Sequence, residues 1–179
     1  MTFLGSALII SGVLEVLSLD QGLGSEFLRS VFGSPASPDT HVVISWLDSE
    51  GIPQSAVGFE RHTGNTMEAS IYVKPGGIFP RSLLLSGLAY AFDQLGLKFL
   101  TFIVKSSNMV SIDFVTRLGA THEATLRDVY PEADSLVFYL RPETCPIWER
   151  YCGKRRGYTS STGPSGHDSA AAESESRDV

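Results

Sequence analysis

The chain has 179 residues, 42% apolar and 19% charged, enough to bury one sizeable core and most economically one domain. Its formal net charge of −6 and pI near 5.1 exclude a protein whose main task is gripping phosphate backbones, so nucleic acid is not expected as a partner. Cys145 and Cys152 are the only cysteines; in a helix-like segment they stand about 10 Å apart and cannot pair. No histidine lies near them at ligand spacing, so neither a disulfide nor a metal site is expected, and a reducing cytoplasm fits best.

The apolar opening "MTFLGSALIISGVLEVLSL" lacks a cationic start and is interrupted by Glu15, which leaves it short of the ~18 to 20 residues that a membrane span needs. No membrane partner is expected. The segment reads instead as a buried strand or edge segment, followed by a turn at Gly22 or Gly24. "SEFLRSVFG" predicts a short helix capped by Ser25 and ended by Gly33. After a loop over 34–40, "HVVISWLDSEGIPQSAVGFERH" predicts two strands joined through Asp48 to Pro53. "EASIYVKPGG" is a third strand, stopped by Pro75, Gly76 and Gly77.

The helix "PRSLLLSGLAYAFDQLG" follows, with Pro80 in its first turn, Leu84, Leu88, Phe92 and Leu95 along one stripe, and Gly96 past its end. "LKFLTFIVKS" has the apolar character of a strand covered on both faces. A second helix then begins at Ser107 or Asn108, buries Ile112, Val115 and Leu118, and stops at Gly119. Two strands, "ATHEATLRDV" and "DSLVFYLRP", turn at "YPEA". "KRRG" at 154–157, beside Trp148 and Tyr151, reads as a solvated helix end. Residues 157–179 lack apolar periodicity and are expected to be a disordered or flexible tail, leaving 1–156 as the folded domain. The order of strands and helices between residues 67 and 142 demands an α/β domain with a mixed sheet.

From "IYVKPGG" through "RSLLLSGLAYAFDQLGLKFLTFIV", Asn108, Ser111, Leu118-Gly119 and "THEATLRD", the sequence resembles the GCN5-related N-acetyltransferases (GNAT) over roughly residues 40–142. It is most similar to the ribosomal-protein N-terminal acetyltransferase branch and to GNAT-like proteins carried by bacteriophages. The resemblance implies a mixed, mostly antiparallel sheet whose central strand pair splays, flanked by helices, with acetyl-coenzyme A or coenzyme A as co-substrate. It implies that Ile71, Tyr72 and Val73 offer a strand edge to the pantetheine arm. Phe79, Arg81 and Ser82 would then lie at the phosphates over a helix start, and Asn108, Ser111 and Phe114 along the second helix.

Two departures from the family pattern stand out. The phosphate loop of the family has Gln or Arg, then Gly, then Gly or Ala; here those positions hold Ile78, Arg81 and Leu83, while Gly76 and Gly77 come earlier. The general-acid Tyr of many members is replaced by Val115, beside Phe114. Glu68, and after it Glu60, are the carboxylates expected to act as base, Tyr72, Tyr130 and Tyr139 are candidate acids, and Ser106 or Ser107 can meet the thioester.

The expected function is acyl transfer from acyl-coenzyme A to an amine acceptor, by a monomer or homodimer in the cytoplasm, or in the host cytoplasm if phage-encoded. The alternative is a weakly active or inactive GNAT-fold phage protein that binds coenzyme A and docks on a host enzyme, a host protein then being its partner.

Overall fold

The computed structural model describes residues 7–10, 13–32 and 42–159. Eight strands form one sheet: β1 Ala7–Ile10, β2 Val13–Ser18, β3 Val42–Leu47, β4 Pro53–Glu60, β5 Thr66–Val73, β6 Phe99–Lys105, β7 Thr121–Tyr130 and β8 Ala133–Leu140. Their spatial order is β1-β2-β3-β4-β5-β6-β8-β7, and every neighbouring pair is antiparallel except β5 and β6. The helices are α1 Gln21–Phe32, α2 Arg81–Ala89, α3 Met109–Arg117 and α4 Pro146–Thr159.

The apolar segment expected as a single strand or edge segment forms two strands, β1 and β2, paired antiparallel. Gly22 and Gly24, however, lie inside α1 and not in a turn, and Ser25 is not its cap. The cap lies five residues earlier, where Asp20 Oδ1 accepts from the Leu23 N–H at 3.0 Å. Gly24 is required by packing: a Cβ there would sit 2.8 Å from the Val43 side chain, so glycine lets α1 lie close on β3. The predicted stop at Gly33 and the loop beyond it fall outside the described residues.

α2 leaves its regular winding at Tyr90–Gln94, a π-helical turn in which the Leu95 N–H reaches back to the Tyr90 carbonyl. That turn rotates the apolar stripe. Ala91 becomes fully buried, while Phe92 and Leu95, expected on the same stripe as Leu84 and Leu88, are only half-buried.

The main core lies on one face of the sheet, where Leu83, Leu84 and Leu88 of α2, Val115 of α3 and Trp148 of α4 meet Val57, Phe59, Ala69, Leu100, Phe102 and Leu140. On the other face Phe27 and Leu28 of α1 pack on Val43 and Ala56, with Tyr72 against them. Among the described residues helix α1 lies chiefly over β3 and β4, with Tyr72 of β5 at its edge. β6 is therefore not covered on both faces: Leu100, Phe102 and Val104 are buried, but Ile103 on the opposite face is 37% exposed. An apolar run reports that a strand is central, not that each face has a helix over it.

Cys145 lies just before α4, its carbonyl accepting the Glu149 N–H, whereas Cys152 is on the helix; both thiols are free. Burial raises the pKa of the Cys145 thiol. Helix α4 continues to Thr159, past the expected boundary at residue 156. No helix among the described residues is long and apolar enough to cross a membrane.

Candidate active site

The parallel ladder between β5 and β6 is short. Thr66, Met67 and Glu68 pair with Phe99, Leu100 and Thr101, and there the ladder ends. β5 goes on to Val73 paired with β4, and β6 goes on to Lys105 paired with β8, so two strand edges diverge inside the sheet. This is the splayed central pair that the sequence resemblance implies. Backbone groups on such edges are obligatory hydrogen-bonding groups, and a ligand lying between them can satisfy them.

The apex of the opening carries a charged constellation. Antiparallel register sets Glu60 directly opposite Glu68, and parallel register sets Thr101 beside it, so all three share the face that α1 leaves uncovered. Arg61, at φ 54°, donates from Nη1 to Glu68 Oε2 at 2.6 Å; the Glu68 side chain is 14% exposed. Burial raises the pKa of Glu68, the Arg61 guanidinium lowers it, and the Glu60 carboxylate raises it further, leaving the net direction upward. Arg61 and Thr101 were not predicted as site residues. Their only signal was register, which cannot be read before strand pairing is known.

Along the same face, Tyr72 turns toward α1, and burial raises the pKa of its phenol. Tyr139 stacks on Phe99 with centroids 4.3 Å apart, and the Arg141 guanidinium lies over both rings at 5.8 and 5.7 Å. Tyr130 stands at the far hairpin, with Lys105 Nζ 5.3 Å from its ring centre. Of the candidate acids, Tyr72 is the one on β5 itself, beyond the apex. Ile71 faces the main core and Val73 is exposed at the mouth.

At the mouth, Lys74-Pro75-Gly76-Gly77 form a tight turn: the Gly77 N–H donates to the Lys74 carbonyl at 2.7 Å, and Gly76 has φ 75°. Pro at the second place and left-handed Gly at the third make it type II. A Cβ at Gly77 would meet the Lys74 and Gln54 carbonyl oxygens at 2.8 and 2.9 Å. These glycines serve the turn out of β5. After it, Phe79 packs edge-on against Phe114 of α3, centroids 5.8 Å apart, closing α2's start against α3.

Arg81 is the exposed first residue of α2. The helix has no side-chain cap, and the first internal bond goes from the Leu84 N–H to the Pro80 carbonyl, so the earlier N–H groups of this turn are open to a ligand. Ser82 Oγ is buried in the same turn without a hydrogen-bond partner. An anion fits here.

Asn108 caps α3: its Oδ1 accepts the Ser111 N–H at 3.1 Å, and its side chain is otherwise exposed. Ser107 is exposed in the turn before it. Val115, where many GNAT enzymes carry Tyr, is 3% exposed and faces the core, so Phe114 is the residue presented to the mouth. Beside the mouth, on the α1 side, a cleft of about 580 Å³ is lined by Leu23, Glu26, Phe27, Ile52 and Lys74. Among the described residues no three His, Cys, Asp or Glu side chains come together to hold a metal.

No family model matches the sequence, and no curated protein matches it closely enough to count. Solved structures do match. A substituted form of the spermidine/spermine N-acetyltransferase SpeG from Vibrio cholerae aligns with TM-score 0.60 and 16% identity over 78% of this chain and 98% of its own. The same enzyme with manganese ions gives 0.59 at 16% identity, over 78% and 96%. A T. thermophilus protein described as an acetyltransferase gives 0.54 at 21% identity, over 71% of each chain. With the splayed β5–β6 pair, the helix start at its mouth and these alignments together, the chain has the GNAT fold of known acetyltransferases.

Proposed function

We propose that the protein transfers an acyl group from acetyl-coenzyme A, or a close relative of it, to an amine. The observation that carries this reading is the divergence of β5 from β6 beyond Glu68 and Thr101. The backbone edges at Ile71–Val73 take the pantetheine arm, and the open first turn of α2, with Arg81 and Ser82, takes the phosphates. Phe79, Phe114, Asn108 and Ser111 line the mouth between α2 and α3, and Ser107 lies next to them. Glu68 removes the ammonium proton of the acceptor, directly or through one water. With both reactants held together, proximity supplies much of the acceleration even where no Tyr stands ready for the thiolate.

The paired carboxylates Glu60 and Glu68 suit a cationic acceptor approaching over the uncovered sheet face. Polyamines are therefore tested first, since the SpeG neighbours are spermidine and spermine acetyltransferases, followed by peptide N-termini, as the resemblance to ribosomal-protein acetyltransferases suggests, and by lysine. A second reading has one observation in its favour: Val115 is buried where an acid is usual. On that reading the chain is a coenzyme-binding, phage-borne GNAT-like protein that docks on a host enzyme.

Coenzyme A at millimolar concentration raises the melting temperature along the binding law, and calorimetry gives one site. Arg81→Ala weakens that binding by about 1.5 to 3 kcal/mol, roughly 10- to 150-fold, if the guanidinium meets a phosphate. An absent shift in the unsubstituted protein rejects both readings. Coenzyme binding without release of thiol to any amine, together with stable capture of a host enzyme, favours the second.

A further inference from the structure

A small apolar cavity of about 10 Å³ lies where β5 and β6 part, on the face of the sheet that α2 covers. Ala69 and Ile71 of β5, Leu100 and Phe102 of β6, and Leu84 and Leu88 of α2 bound it, and no side chain in its wall carries a polar atom. Its place follows from register. The last parallel pair is Glu68 with Thr101, so Ala69 and Phe102 are the first two residues that would have stood side by side had the ladder continued. Side chains alternate along a strand, so Glu68 belongs to the uncovered face and Ala69 to the core, where it is 4% exposed.

We propose that this cavity receives the methyl end of the acyl group and restricts the donor to acetyl-coenzyme A, with Ala69 and Leu84 setting the limit. The inference rests on the acyl-transfer reading above and narrows its donor. Each part of the reaction then has its own direction. The pantetheine arm comes from the mouth along Ile71–Val73, and the acceptor nitrogen from the face that carries Glu68. The acyl chain is left with the core face, where the cavity lies. In the transfer the nitrogen bonds the acyl carbon and the C–S bond breaks; Glu68 takes the ammonium proton, and coenzyme A leaves as a thiolate that solvent protonates.

A space of this size holds about one methyl-sized group, and an apolar lining keeps it free of water. Its walls are closely packed: Leu88 and Leu100 are each 2% exposed and Phe102 is 5% exposed. Each added methylene therefore meets side chains that cannot turn away without disturbing the core.

The test uses the full chain and calorimetry, which needs no acceptor. Acetyl-coenzyme A is expected to bind about 4-fold more tightly than coenzyme A, the gain from burying one methyl group. Propionyl- and butyryl-coenzyme A are expected to bind about tenfold or more weakly than acetyl-coenzyme A. Ala69→Val fills the cavity, so it removes the advantage of acetyl-coenzyme A and leaves the affinity for coenzyme A unchanged. Leu84→Ala enlarges the cavity, and butyryl-coenzyme A then binds as tightly as acetyl-coenzyme A. Circular dichroism verifies folding; if the alanine variant does not fold, Leu84→Val makes a smaller opening and shifts the preference toward propionyl-coenzyme A. Coenzyme A binding with equal affinity for the three acyl forms overturns the role of the cavity and leaves the transfer reading standing. A preference for acetyl-coenzyme A that Ala69→Val leaves intact overturns it as well, whereas no binding of coenzyme A at all overturns both.

Discussion

Glu68→Gln lowers turnover on the order of 100-fold while leaving coenzyme affinity unchanged, if the carboxylate is the base that takes the ammonium proton. The substitution keeps the shape of the side chain and its place beside Thr101 and removes only its basicity. Because burial raises the Glu68 pKa, the acid limb of kcat/KM lies above the usual carboxylate range and disappears in the Gln variant. The stability effect has a definite sign. A carboxyl whose folded-state pKa is raised stabilises the fold below its unfolded pKa, and that contribution is lost as pH rises through the folded value. At neutral pH the ionised group therefore adds no stability by titration. The ion pair with Arg61, whose side chain is 67% exposed, is worth about 1 kcal/mol at most. A Gln variant that keeps full turnover moves the base elsewhere, with Glu60 next.

Gly119→Ala destabilises the protein by about 3 to 5 kcal/mol, lowering the melting temperature by roughly 6 to 20 °C for a chain of this size. Gly119 ends α3 in a Schellman motif: the Ala120 N–H reaches the Val115 carbonyl, and the Gly119 N–H the Thr116 carbonyl. Its φ is 93°, and a Cβ would lie 1.9 Å from the Thr144 carbonyl oxygen and 3.3 Å from Pro146 Cδ. Either α3 or the segment entering α4 must move. Gly96→Ala is the control, since Gly96 has φ 63° but nothing within 4 Å of its Cβ position. Its cost is the left-handed conformation alone, about 1 to 2 kcal/mol. Equal losses at the two positions would mean that the Thr144 contact yields freely.

The elements that sequence predicts well here are those whose signals are local. Pro80 and Gly96 bracket α2, Asn108 and Gly119 bracket α3, and alternating β-formers mark the hairpins. The start of α1 is different. Gly22 and Gly24 read as breakers, yet Gly24 is fixed by its approach to Val43, a tertiary contact with no local trace. The uncovered face of β6 depends on how far α1 extends across the sheet. At the site, Glu68 could be chosen from its place near a strand start, but Glu60, Arg61 and Thr101 become its neighbours only through the register of three strands. Gly76 and Gly77 stand ahead of the phosphate-loop positions because they build the turn out of β5.

The short β5–β6 ladder also has a mechanical meaning. Strands β1 to β5 and strands β6 to β8 are each continuously paired, but only three register pairs join one group to the other. The domain is thus a pair of half-sheets held by a narrow seam, with the shared helical core as backing. Whatever bridges the two diverging edges acts as a clamp on that seam, stiffening the protein through its weakest line rather than at its rim.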